Sequence, residues 1–195
     1  MSQSREYSRL AKRIKRLEKK YDFKERITGP TRDQVDDLRA FELLCHAELE
    51  VYFEKKALKV LERAKKKWES QHCANYNLAC LFLYAGAIKN QNTPISTMVG
   101  KVIADYCQKV DRNNGIKQDN IKSLYRPLGF KMDDFDSILM NNLDQLGSQR
   151  GAFAHQSFKT IEITSKNDIF KKIDDIVEEI KDFERVLYEK MNGDI

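Results

Sequence analysis

The stretch QRGAFAH sets Arg150 five residues before His155, in a chain of 195 residues with three histidines. Those two side chains suit chemistry at a phosphate. RNA is cut without a metal when its own 2′-hydroxyl attacks the adjacent phosphorus, provided one group moves a proton and another steadies the extra negative charge. Histidine, titrating at about 6.5 when unperturbed, fits the first role, and the fixed fork of an arginine fits the second.

Spacing alone does not single the pair out, because Arg39 and His46 form a second match, seven residues apart and so on one face of a helix. Context separates the two. Arg39 and His46 sit inside a long periodic segment among core positions, where a satisfied structural histidine is expected. Arg150 and His155 follow Gly147, bracket Gly151 and stand where the helical pattern gives way to a loop, the kind of place where function concentrates. On an uninterrupted helix, residues five apart point about 140° away from each other. The pair therefore converges only if the helix ends between them or if two chains contribute.

Other groupings have structural explanations. His72 and Cys73 with Cys80 lack the close spacing of a zinc site, so no metal is expected. The pairs Asp133/Asp134 and Asp174/Asp175 read as first-turn carboxylates facing the positive ends of helix dipoles. The run Lys65 to Lys67 reads as a solvated helix end. Neither a glycine-rich phosphate loop nor a Gly-x-Ser-x-Gly elbow is present, and no cofactor is expected.

The elements that must position the pair are helical. With 33% charged and 41% hydrophobic residues but only 8 glycines and 3 prolines, the composition is that of a mostly helical globular chain. No apolar run reaches the roughly 20 residues of a membrane span, and the first residues lack a signal peptide's apolar core, so a cytoplasmic protein without a membrane partner is expected. Cys45, Cys73, Cys80 and Cys107 lie in apolar stretches and read as reduced core residues.

Residues 1–26 hold ten Lys and Arg against four Asp and Glu, a net +6 in a chain of net +5, so the remainder sums to about −1. Leu10, Ile14, Leu17 and Tyr21 give this basic segment a narrow apolar stripe. Lys12, Arg13, Lys15, Arg16, Lys19 and Lys20 are its candidate nucleic-acid contacts, and packing of the stripe onto the fold is the alternative. Gly29 and Pro30 break it, which divides the chain into a basic helical extension, 1–29, and a helical domain, 30–195.

Thr31 and Gln34 have capping-box spacing and open one long helix to about Trp68. The segment YNLACLFLYAGAI reads as the central buried helix. A helix capped by Thr93 with Pro94 in its first turn should reach Val110, and a short one should run from Asp119 to Tyr125. Another should start near Asp133, carry Phe135, Ile138, Leu139, Leu143 and Leu146 inward, and end at the Arg150 stretch. Residues after His155 read as a loop with some extended character. Asn167 should cap a long last helix with Ile169, Ile173, Ile176, Ile180, Phe183 and Leu187 inward. The fold class is an all-α bundle.

The leucine-rich helix ending in LDQLGSQRGAFAH, a loop and a last amphipathic helix resemble the C-terminal half of HEPN domains, whose signature is an Arg, four to six residues and a His. The segment AELEVYFEKKALKVLE is similar to an early family helix in which an acidic residue, here Glu50, precedes an aromatic or leucine-rich turn. The resemblance covers about residues 31–191. It implies a HEPN-like helical bundle, often a homodimer, and in many members a metal-independent ribonuclease of prokaryotic toxin or phage-defence systems with RNA and an antitoxin or defence protein as partners. Arg150 and His155 would be its catalytic residues, with Glu50, Gln149 and Gly151 lining the site. A non-catalytic HEPN-type module that binds nucleotide, RNA or protein is the other reading. Gly151 stands where many catalytic members carry a polar residue, and Ser157 where toxins silenced by tyrosine modification carry tyrosine, so that mode of silencing is not implied.

Overall fold

The computed structural model describes residues 3–24, 30–71, 73, 75–86, 93–155 and 165–192; for 152–155 it describes the backbone. Among these are seven α-helices and no strand: α1 Arg5–Tyr21, α2 Arg32–Gln71, α3 Tyr76–Ala85, α4 Ile95–Asp111, α5 Gln118–Tyr125, α6 Ser137–His155 and α7 Lys166–Asn192. No helix among them is long and apolar enough to cross a membrane.

The forty residues of α2 form the axis, about 60 Å long at 1.5 Å per residue. Its start is the expected capping box, with the Thr31 N–H donating to Gln34 Oε1 at 2.8 Å and the Gln34 N–H to Thr31 Oγ1 at 3.3 Å. Helix α1 runs antiparallel to it, since Glu6 meets Lys59, Arg13 meets Glu48 and Tyr21 meets Phe41. Helix α7 runs parallel to it, pairing Phe170 with Phe41 and Phe183 with Phe53. Helix α6 lies antiparallel to α7, where Asn142 donates to Glu179 and Lys172 to Gln149.

These helices enclose one main core in which Phe53, Tyr125, Phe135 and Phe183 make edge and tilted ring contacts at 4.8–5.7 Å. The Tyr125 hydroxyl, fully buried, is satisfied by donating to the Phe53 carbonyl at 2.8 Å. Tyr7, Leu10, Ile14 and Leu17 of α1 belong to this same core. Residues 1–29 therefore include a structural helix of the bundle rather than only an appended extension.

Several local expectations shift. Helix α3 is not central: only Asn77, Leu78 and Leu81 are buried, while Leu83 is 67% and Tyr84 51% exposed, because an apolar sequence on a ten-residue edge helix has just one face to bury. Asp133 and Asp134 lie in a 3-10 turn, and α6 begins at Ser137 with Asp136 accepting from the Ile138 N–H at 2.7 Å. Ile138 itself faces outward. Asp174 and Asp175 are in the third turn of α7 and pair with Lys15 and Lys171 instead of facing the helix start. Ser165, not Asn167, accepts from the first turn of α7. Pro94 occupies the N-cap position of α4 without a side-chain bond. Of the four cysteines, all free, Cys45 is buried, Cys80 and Cys107 are half-buried and Cys73 is exposed, so they do not form a common core set. The expected loop after His155 lies outside the described residues up to 164.

Candidate functional site

Arg150 lies near the end of α6, half-buried, and its Nη1 donates to Asn114 Oδ1 at 3.1 Å. Asn114 is held there by a compact loop. Asn113 Nδ2 donates to Glu54 Oε1 at 2.9 Å and to the Gly115 carbonyl at 3.0 Å, and the Gln118 N–H donates to Asp144 Oδ1 at 2.6 Å. Gly147 makes the close approach possible: a Cβ there would stand 2.7 Å from Lys117 Cγ. The preceding residue of α6 is Gln149, about 100° around the helix from Arg150, and its Oε1 accepts from Lys172 Nζ of α7 at 3.1 Å.

Facing these groups, α2 contributes Glu42, His46 and Glu50 at successive intervals of four, which puts them on one side of the helix. His46 is 2% exposed, with Nδ1 3.8 Å from a Glu50 oxygen and Nε2 without a hydrogen bond among the described residues. It is a buried histidine of the site wall, not the satisfied core histidine that its mid-helix position suggests. Burial lowers its pKa to about 4, and the positive charge of Arg150 adds to the effect, so the ring is neutral near pH 7. Glu42, also buried, is pushed up to about 7 by burial against the opposing charge of Lys172, whose own ammonium is lowered by burial.

The site residues expected from sequence thus divide. Arg150 and Glu50 are each linked to His46, Gln149 is turned to Lys172 of α7, and Gly151 is exposed with open space where its side chain would be. The backbone of His155 continues α6, and its side chain lies outside the described residues. Since α6 is unbroken from Ser137 to His155, the helix does not end between Arg150 and His155, and their backbone positions lie about 140° apart around its axis. Glu42, His46, Asn114 and Lys172 were missed. A polar stripe at period four inside the apolar pattern of α2 was the available signal for the first two.

The basic residues of α1 divide as well. Arg13 is tied to Glu48 at 2.8 Å, and Lys15 to Glu18 and Asp174 at 2.8 and 2.7 Å, whereas Lys12, Arg16, Lys19 and Lys20 are exposed. Among the described residues no three His, Cys, Asp or Glu side chains are grouped to hold a metal ion.

An arginine on the last turns of the penultimate helix, together with an acidic residue on the long early helix, is the pairing of elements that the HEPN resemblance implies. The family model for RiboL-PSP-HEPN matches residues 8–189, nearly the whole chain and all seven helices in whole or large part. The chain belongs to this HEPN family. No curated protein and no solved structure matches it. The HEPN match begins inside α1, in agreement with the packing of that helix into the core.

The buried Glu42 gives this HEPN site a pH signature in stability. Its folded pKa, about 7, stands above the unfolded value of about 4.5. Its contribution is fully present below the unfolded pKa and is lost as pH rises through 7. His46 works oppositely: with a folded pKa of about 4, its contribution is present above the unfolded value of about 6.5 and is lost as pH falls through 4. Glu42→Gln is expected to raise stability at pH 8 by roughly 3 kcal/mol relative to wild type, and by less than about 1 kcal/mol at pH 5. Denaturant unfolding at the two pH values measures this, and an equal effect at both would show that Glu42 titrates normally.

Proposed function

We propose that this HEPN protein is a metal-independent RNA endonuclease of a toxin–antitoxin or phage-defence system, acting as a homodimer. The observation that carries the reading is Arg150, presented near the end of α6, braced by Asn114 and set beside neutral His46, whose Nδ1 is 3.8 Å from Glu50. Its guanidinium keeps donors for a phosphate, and in this reading His155, five residues on in the sequence, is the partner histidine.

In this reading the 2′-hydroxyl loses its proton as its oxygen bonds to the adjacent phosphorus, and the bond from phosphorus to the 5′-oxygen breaks as that oxygen gains a proton. The products are a 2′,3′-cyclic phosphate and a 5′-hydroxyl. His155 moves the protons, and Arg150 stabilises the charge that accumulates on the phosphate oxygens. The divergence of the two residues along α6 favours a cleft at a two-fold axis, where each chain supplies one Arg150 and one His155. One histidine then accepts the proton and the other donates.

Incubating the purified protein with total RNA in EDTA tests the reading. Cleavage that persists in chelator and disappears in Arg150→Ala supports it, together with a dimer in sedimentation. A strict monomer at micromolar concentration, or intact RNA, contradicts it. Intact RNA with retained binding would instead favour a non-catalytic HEPN module.

A further inference from the structure

We infer that the outer face of α1 is a docking surface for the phosphate backbone of single-stranded RNA, separate from the Arg150 site; the inference rests on the reading of the chain as one that acts on RNA. Every residue of α1 that is exposed is a cation: Arg5, Arg9, Lys12, Lys15, Arg16, Lys19 and Lys20. Lys15 is engaged by Asp174 and Glu18, which leaves six. Arg5, Arg9, Lys12, Arg16 and Lys19 follow at intervals of four, three, four and three, the spacing that keeps residues on one straight face. At 1.5 Å per residue they make a strip about 21 Å long.

The two acidic residues of α1 do not interrupt this strip. Both are half-buried at its flanks, where Glu6 accepts from Lys59 at 2.9 Å and Glu18 meets Lys15 at 2.8 Å. The apolar face, which a membrane or a partner helix would need, is committed elsewhere: Tyr7, Leu10, Ile14 and Leu17 are 1–5% exposed in the main core. What remains to the outside is a row of charges without an apolar component, on a rigid helix. Its complement is a polyanion with charges repeated along a line, and a nucleic-acid strand has that form. Arg13 is excluded from the surface by its pairing with Glu48, and Arg5 and Arg9 join it.

Neutralising Arg9, Lys12, Arg16 and Lys19 together to Gln tests the assignment in the full chain, against a reference carrying Lys65→Gln, Lys66→Gln, Lys101→Gln and Lys122→Gln, which loses equal charge elsewhere. The ligand is a single strand of 2′-O-methyl RNA of about 20 nucleotides, which lacks the attacking hydroxyl and is not cut. Affinity is measured between about 50 and 200 mM salt. Each lost phosphate contact removes about 0.7 from the slope of log affinity against log salt, so the α1 variant should lose about 3 of slope and at least about tenfold in affinity. The reference should keep the wild-type slope. An unchanged slope in the α1 variant, an equal fall in the reference, or absence of binding by the wild type overturns the assignment. Binding through α1 without cleavage of natural RNA would refute the nuclease reading alone, and cleavage with an unchanged slope would refute the α1 surface alone.

Discussion

Arg150→Ala and His155→Ala are each expected to lower RNA cleavage by about 10² to 10⁴ while far-ultraviolet circular dichroism and thermal melting stay close to wild type. In the proposed reaction both side chains act on charge that exists fully only in the transition state, so the loss should appear in the rate of the chemical step more than in RNA affinity. Arg150→Lys should also be damaging, because an ammonium cannot span two phosphate oxygens as the planar fork does. Stability should suffer little at Arg150, since its described hydrogen bond is to an exposed asparagine on the surface loop. Single-turnover cleavage of a labelled RNA measures the effect. Full activity in either alanine variant would remove that residue from the mechanism.

Lys56→Met is expected to destabilise the bundle by about 3 kcal/mol, a fall in melting temperature of roughly 6 to 12 °C. The Lys56 side chain is 9% exposed, forms an ion pair with Glu184 of α7 and donates to Ser4 Oγ at 3.0 Å. Ser4 in turn caps α1, accepting from the Tyr7 N–H at 3.1 Å, and its hydroxyl donates to Glu184, which also accepts from the Tyr52 hydroxyl at 2.9 Å. One carboxylate thus joins the start of α1, the middle of α2 and the end of α7. Burial would raise the Glu184 pKa, but bonds from Lys56, Ser4 and Tyr52 hold it below its ordinary value. Removing Lys56 strands that charge. Removing both partners, in Lys56→Met/Glu184→Leu, should recover at least half of the loss. A single-variant loss under about 1 kcal/mol would show the network to be unimportant for joining the three helices.

Much of the frame was legible because it depends on short-range rules. The Thr31–Gln34 capping box, the length of α2 and the inward stripe of α7 follow from local bonds and a 3.6-residue period, and the structure places them where the pattern does. The leucine-rich helix that carries the Arg150 stretch was legible, and α6 runs through that stretch to His155. What α2 offers to that end was not. Glu42, His46 and Glu50 look like interruptions of a core face until α6 is packed against them, and Asn114 and Lys172 reach the site from a loop and from α7. Helix α3 departs from expectation for a related reason: its apolar residues predict burial, but whether a second layer covers a helix is a property of the assembled bundle.

In the proposed reaction the internal 2′-hydroxyl of RNA is the nucleophile, served by Arg150 and His155. Product end-group analysis in EDTA tests this, using one RNA of defined sequence and its twin carrying a single 2′-deoxy substitution at the cut position. A 2′,3′-cyclic phosphate and a 5′-hydroxyl are expected on the products of the first RNA, and no cleavage at that position in the second. A 3′-hydroxyl with a 5′-phosphate, or cleavage of the deoxy-substituted strand at the same position, would contradict it.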